Sequence, residues 1–504
     1  MPVSLPSSVL SPSVLVLLLA CAHHAPSTLV EPSLAPPGAT SLVRPPPAEL
    51  SRLPVQLASD EIESALVKSP SDPALGRILG SARTSGEAYT RLGVLCENYS
   101  RRFAGTQALV DSAVWAQSVW QRDGLKVTLE PVDVRHWVRG AESLKMTAPV
   151  ARDLAVIGLG GTVSGTVTAS VVVLRSFDEL GPQVKGKIVL YDVAMPQGVP
   201  SIEHYGATVP YRTQGAANAA KFGAVASLTR SVTQRSLYTP HTGAMHYDEG
   251  GVKIPSAAVT VEDADWIAGL VASGTEVKLT LALTSQELPP TPSWNVVAEI
   301  PGASSDIVLI GAHLDSWDVG QGANDDGAGV AHVMEAMRAI QQEVKASGQP
   351  PARTVRGVLY ANEEFGLDGG KAYGVAHANE VHVAAMESDL GGGVPLSWDA
   401  SGTPAQMAWL QSTLAPLAMP LGNGGGGADI SPLEDQGAIV AGLRPDDTHY
   451  FDFHHTNADT FDKIDSKALA EGAAATAGWA WLVANTTGAA EPRRAEVPTT
   501  GPTR

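Results

Sequence analysis

Five short stretches of this chain carry side chains able to hold metal ions or move protons. They are Gly311-Ala312-His313-Leu314-Asp315, Asn324-Asp325-Asp326-Gly327, Glu363-Glu364, Glu387-Ser388-Asp389 and His454-His455-Thr456. One ligand-type residue from each gives two imidazoles and three carboxylates, with no thiolate. Nitrogen and oxygen donors in that proportion suit two zinc ions sharing one carboxylate. Two such metals, ~3.5–4 Å apart, lower the pKa of a shared water toward ~7. A further carboxylate must then stay unligated as the general base. The Glu363-Glu364 pair can fill both roles, because adjacent residues at a strand end project to opposite sides. Taken singly, each stretch has a plainer reading. Asp326 before Gly327 reads as a cap or turn, and His313 alone as a structural histidine. Their co-occurrence is what indicates a metal centre.

The positioning elements alternate. Ile307–Gly311, Thr354–Ala361 and Val381–Met386 are expected as strands, with helices over Gly327–Val344 and Gly369–Ala378 between them. In the first helix Val330, Val333, Met334, Met337 and Ile340 form one apolar stripe. Such alternation predicts an α/β fold with a mostly parallel sheet flanked by helices. Ligands collect in the crevice at its C-terminal strand ends, where all five stretches arrive. Upstream, Ala108–Arg122 reads as a helix and Lys126–Val134 as a strand; the last helix is expected over Ser466–Val483. Between Val150 and Thr284 short β-rich runs alternate with Gly and Pro turns and one Ala-rich helix, Thr213–Lys221. That texture predicts a β-rich module inserted into the first domain. The Gly158-Leu159-Gly160-Gly161 turn lacks the third glycine of a dinucleotide loop and is followed by β sequence, so it is not read as one. The expected organisation is therefore a signal peptide over 1–21, a Pro-rich linker over 22–59, a split catalytic domain over 60–149 and 285–485, the insert over 150–284, and a flexible tail over 486–504.

Composition narrows the partners. The 504 residues include 34 Lys+Arg and 52 Asp+Glu, so 34 − 52 = −18. That charge argues against nucleic acid, since little could displace counterions from phosphates. A 44% hydrophobic, 17% charged chain has ample material to bury, and its length implies more than one domain. Two cysteines build no disulfide scaffold. Cys21 ends the apolar run Val14–Ala22, too short to span a bilayer but suited to a signal peptide. Leu18-Leu19-Ala20-Cys21 resembles a bacterial lipobox, although no Lys or Arg precedes the run. Either Cys21 is lipidated and attaches the protein to a membrane, or the signal is removed without lipid. Both readings export the chain, as a secreted, periplasmic or outer-membrane/cell-surface protein. Cys96 is then a lone thiol, read as a small buried hydrophobe.

Four motifs carry a family resemblance: GAHLDSWDVGQGANDDGAG (Gly311–Gly329), YANEEFG (Tyr360–Gly366), MESDLGG (Met386–Gly392) and FDFHHTNADT (Phe451–Thr460). They resemble those of the co-catalytic dizinc exopeptidases, the family of bacterial leucyl aminopeptidases and glutamate carboxypeptidases. VAEIPG (Val297–Gly302), YRTQGA, SLTRSV and YTPHTG (within Tyr211–Gly243) and KIPSAAVTVEDAD (Lys253–Asp265) are similar, more narrowly, to its plasma glutamate carboxypeptidase subgroup. The similarity covers roughly Asp60 to Leu482.

The resemblance implies a zinc aminopeptidase-like, phosphorylase/hydrolase-like sandwich, with the insert as a protease-associated domain. It implies two Zn2+ per chain: His313 and Asp389 on one, Glu364 and His455 on the other, and Asp325 bridging. His454 is the competing choice for the last ligand. Glu363 matches the general base, and Asp315 the carboxylate that orients the His313 imidazole. Substrate contacts would fall near the Gly422–Gly427 loop and Leu443–Tyr450. There Tyr450 or His449 could donate to an oxyanion, and Arg444 could pair with a substrate carboxylate. A core aromatic and a surface ion pair are the plainer readings of Tyr450 and Arg444. The implied function is an exopeptidase for dipeptides or short peptides, a homodimeric dipeptidase or carboxypeptidase. An aminopeptidase of the same family is the alternative. A glutaminyl-cyclase-like acyltransferase and an inactive receptor-like homologue share the fold.

Overall fold

The computed structural model describes residues 63–488. The expected signal peptide with Cys21, the linker and the tail beyond residue 488 lie outside the described residues. Two eight-stranded sheets account for the described strands.

The first sheet runs Lys126–Val138, Gln286–Ile300, Arg353–Tyr360, Ser304–His313, His382–Glu387, Ile439–Pro445, Pro395–Ser401, Leu421–Asn423 in spatial order. Its four central strands are parallel. They are apolar on both faces, as Ile307, Val308, Leu309 and Ile310 show, because helices cover both sides. Lys126–Val138 against Gln286–Ile300, and Pro395–Ser401 against Ile439–Pro445, pair antiparallel. The expected mostly parallel sheet is thus a mixed one with a parallel centre. A crossover helix dictates parallel pairing where it alone joins two strands; between these flanking pairs the chain first runs through other strands, the second sheet in one case and Leu421–Asn423 in the other.

Helices Pro73–Thr84, Gln107–Asp123, Ala328–Ser347 and Ser466–Asn485 bury one face of that sheet. The stripe expected in Ala328–Ser347, from Val330 to Ile340, lies in this layer. The opposite face packs against Tyr373 of Asp368–Ala376 and Leu433 of Ser431–Asp435.

The second sheet orders Arg152–Leu154, Glu142–Ala148, Lys278–Leu283, Gly165–Leu174, Ile188–Tyr191, Ala226–Arg230, Ser256–Val259 and Val156–Gly158. It has its own core, including Leu144, Leu190, Leu228, Ile267 and Leu281. Its first strand in the chain, Glu142–Ala148, begins ahead of residue 150, where the insert is expected to start. The chain passes between sheets at Gly140 (φ +69), where a Cβ would lie 2.7 Å from the Thr284 carbonyl oxygen. It returns at Thr284 itself, whose N–H donates to the Ala141 carbonyl at 3.0 Å. The Ala-rich helix resolves into Val209–Thr213 and Gly215–Lys221, and a helix over Val261–Ala272, capped by Thr260, was not anticipated. Among the described residues no helix is long and apolar enough to cross a membrane.

Candidate metal centre

His313 ends the strand Ser304–His313, and Asp325 lies in the turn before helix Ala328–Ser347. Glu363 and Glu364 follow the strand Arg353–Tyr360, Asp389 follows His382–Glu387, and His455 follows the short helix Tyr450–Phe453. The five stretches meet. His313 Nε2 lies 3.3 Å from Asp325 Oδ1 and 3.4 Å from Asp389 Oδ1. His455 Nε2 lies 3.2 Å from Asp325 Oδ2 and 3.0 Å from Glu364 Oε2. The Asp325 carboxylate therefore faces one ligand pair with each oxygen. His454 stacks on His455 at 3.5 Å between ring centroids, but its Nε2 is 3.8 Å from Asp325 Oδ2. His455 is the better-placed donor of the two. Burial holds His454 well below the usual imidazole range.

Buried polar atoms normally find a partner. Here Asp325 Oδ2, Glu364 Oε1 and Asp389 Oδ1 are buried without a hydrogen bond among the described residues. Unsatisfied oxygens converging with imidazole nitrogens fit divalent cations, and the absence of sulfur fits zinc in an open, hydrolytic site.

The shell around these groups is more elaborate than the sequence indicated. Asp315 is fully buried; its Oδ1 accepts from the Glu363 N–H at 3.0 Å and its Oδ2 from the Glu364 N–H at 3.2 Å. His313 Nδ1 lies 3.1 Å from the Asp315 carbonyl oxygen and 3.5 Å from its Oδ1. Nδ1 as donor leaves the Nε2 lone pair facing Asp325 and Asp389. Asp315 thus fixes the His313 ring and the turn carrying both glutamates. That turn lies beyond the strand, with Asn362 and Leu367 at φ +61 and +56, so both glutamates border one cavity instead of projecting oppositely. Burial, opposed by His313 and reinforced by Asp389 and Glu364, keeps Glu363 well above the ordinary carboxylate range. Bound cations act in the other direction.

Asp326 behaves as the expected cap: its Oδ1 accepts from the Gly329 N–H at 3.0 Å and its Oδ2 from the His313 N–H at 3.2 Å. Gly329 is required there, since a Cβ would lie 1.9 Å from the Ser388 carbonyl oxygen.

Two supports carried no role in the sequence reading. Asp459 accepts from the N–H of Asn324 at 2.7 Å and of Asp325 at 3.2 Å, fixing Asp325 in its turn. Its position inside FDFHHTNADT was the available signal. Arg102 had none. It is fully buried and donates to the carbonyls of Leu314, Gln321 and Gly322 at 2.7, 2.9 and 3.0 Å. It therefore templates the loop joining His313 to Asp325, among the carboxylates of Asp315, Asp326 and Asp459. Arg102→Met strands three carbonyls and a cluster of buried acids. A loss of about 3–5 kcal/mol is expected in denaturant unfolding.

The centre opens into a cavity of ≈ 400 Å³. Tyr450 borders it and is kept protonated by burial. Two other residues expected at the substrate are not brought there. His449 Nδ1 pairs with Asp452 Oδ2 at 2.8 Å and with Arg235 Nη1 at 2.5 Å, outside the cavity lining. Arg444 Nε donates to Asp399 Oδ2 at 2.7 Å, also outside it. Both are satisfied by acids that proximity in the fold supplies. The Gly422–Gly427 loop packs instead on Glu387, whose Oε2 would lie 2.3 Å from a Cβ at Gly427. The second sheet brings Tyr205 and Arg212 to the cavity wall.

An α/β sheet whose strand ends deliver a buried, two-sided carboxylate and imidazole site defines a metal-dependent hydrolase. Comparisons name the family. Residues 295–480, which hold all five stretches, match peptidase family M28. Carboxypeptidase Q of Homo sapiens is 39% identical over 419 residues, spanning 80% of this chain and 86% of that protein. The Bos taurus enzyme is 38% identical over the same length. A crystal structure of a peptidase M28 precursor from Shewanella amazonensis SB2B aligns with a TM-score of 0.78 and 37% identity, covering 82% of this chain and 96% of that one. BSAP, a zinc aminopeptidase from Bacillus subtilis, shares the fold with a TM-score of 0.60 at 20% identity, covering 81% and 98%. The chain belongs to peptidase family M28 and is a metallopeptidase.

Proposed function

We propose that this chain is a dinuclear zinc exopeptidase that hydrolyses dipeptides or short peptides at a free carboxyl end. The observation that carries the reading is the division of Asp325, with Oδ1 toward His313 and Asp389 and Oδ2 toward Glu364 and His455. Those two pairs, with Asp325 between them, would hold zinc ions, which would supply Lewis acidity for the scissile carbonyl and lower the pKa of the attacking water. Glu363, aimed by Asp315, takes the proton from that water and returns it to the leaving nitrogen. Tyr450, protonated at the cavity wall, donates to the developing oxyanion.

Arg212 favours the carboxyl end. It is 6% exposed and lines the cavity, yet its Nε and Nη1 have no partner among the described residues. A buried guanidinium without an acceptor is costly, and a substrate carboxylate matches its fork. The cavity's own carboxylates are Asp325, Glu363, Glu364 and Asp389. All have metal or proton roles, so none is left for a free α-amino group. In this reading the second sheet is an inserted protease-associated domain that supplies part of the substrate wall, and the enzyme is an exported homodimer.

Zinc analysis is expected to give about two ions per chain, with chelation abolishing turnover and zinc restoring it. A dipeptide blocked at its amino end should remain a substrate while its C-terminal amide does not. The reverse preference would make the enzyme an aminopeptidase, and one zinc per chain would favour the acyltransferase reading.

A further inference from the structure

His313 and His455 are held by different parts of the chain. His313 is oriented from within its own strand end, by Asp315. His455 stands in the left-handed region at φ +61, a conformation that a non-glycine residue keeps only when its surroundings impose it. Those surroundings belong to the second sheet. The Thr242 N–H donates to the His455 carbonyl oxygen at 3.0 Å, and His455 Nδ1 lies 3.2 Å from the Thr242 carbonyl oxygen. The two contacts clamp the backbone and fix Nδ1 as the donor, which leaves Nε2 free toward Asp325 and Glu364.

Thr242 is anchored in turn. It is fully buried, and its Oγ1 donates to the Gly158 carbonyl oxygen at 2.8 Å and accepts from Arg139 Nη2 at 3.3 Å. Arg139, next to the passage between the sheets, grips Asp318 through Nε at 2.8 Å and Nη2 at 2.5 Å. Asp318 lies on the loop that follows His313. A chain of contacts thus runs from the first ligand's loop, through the second sheet, to the last ligand.

We propose that the loop 240–244 of the second sheet is an integral part of the metal centre, with Thr242 the positioning residue for His455. The two halves of the site are therefore unequal: the Glu364/His455 half depends on docking of the second sheet, and the His313/Asp389 half does not. The proposal rests on the two-metal reading above.

The test is zinc titration of the metal-free full chain by calorimetry. Thr242→Val keeps the side-chain volume and removes both Oγ1 bonds. It should bind one ion as the wild type does and the other about 10–100-fold more weakly. Thr242→Ser, which keeps the hydroxyl, should retain tight binding of both ions. Zinc should also slow hydrogen exchange at the Thr242 N–H in the wild type. Should Thr242→Val not fold, Thr242→Ala removes the same two Oγ1 bonds with a smaller side chain and carries the same expectation. Unchanged binding of both ions, or equal weakening of both, overturns the proposal. A wild type that takes up a single ion overturns the two-metal reading instead.

Discussion

Glu363→Gln is expected to lower kcat by roughly 10²–10⁴-fold while leaving KM and zinc content close to those of the wild type. Glutamine preserves the volume and the backbone N–H that Asp315 accepts, so the turn carrying Glu364 keeps its ligand in place. What is lost is the capacity to take up a proton. Steady-state kinetics combined with metal analysis of the same preparation separates the outcomes. Undiminished turnover would exclude Glu363 as the base. A fall in bound zinc would show that it is a ligand and that Glu364 holds the proton-transfer role.

The candidate metal residues were legible as a group because chemistry restricts their types and the α/β pattern restricts their places. His313, Asp325, Asp389 and the glutamate pair each follow a strand or precede a helix that the apolar periodicity already marked. The residues alone did not separate His454 from His455, since both lie in one loop; the family resemblance pointed to His455, and the distances of 3.8 and 3.2 Å to Asp325 Oδ2 favour the same residue. The roles of Arg102, Thr242 and Arg212 were not legible for a different reason, although YTPHTG and YRTQGA contain the last two. Each acts through contacts with residues distant in sequence, as when His455 meets the carbonyl of Thr242, 213 positions earlier. No local spacing encodes such a meeting. The same limit misplaced His449 and Arg444 at the substrate, where their sequence neighbours suggested a site but Asp452 and Asp399 claim them. The antiparallel flank Lys126–Val138 with Gln286–Ile300 escaped likewise, because its strands find each other across the whole length of the second sheet.

These distant residues share a physical character. Asp315, Asp459, Arg102 and Thr242 use backbone carbonyls, amides or a single carboxylate to fix loops, so the five metal-type side chains need no flexibility of their own. Such preorganisation is what catalysis by electrostatics requires. It also accounts for the burial of the supporting acids: Asp315, Asp326 and Asp459 accept backbone N–H groups, whereas Asp325, Glu364 and Asp389 keep oxygens without a hydrogen bond among the described residues.

Arg212 is the exception, a buried cation that lies against the Tyr205 ring at 5.5 Å while its Nε and Nη1 have no partner among the described residues. Arg212→Leu should reduce kcat/KM for a free dipeptide by roughly 30-fold to several thousand-fold, the effect of stranding a buried substrate carboxylate at ~2–5 kcal/mol. Against the C-terminal amide of the same dipeptide, wild type and variant should differ little, because the fork has no carboxylate to hold there. Arg212→Lys should recover only part of the loss, since an ammonium cannot make the bidentate contact. Removing the guanidinium gives up its approach to Tyr205 but relieves the unpartnered Nε and Nη1, so the leucine variant should unfold close to the wild-type temperature. A side chain whose removal harms binding of one substrate end while sparing or raising stability is placed for that ligand and not for the fold. Equal losses on the free and amidated dipeptides would assign Arg212 to the architecture of the cavity wall and reopen the aminopeptidase reading.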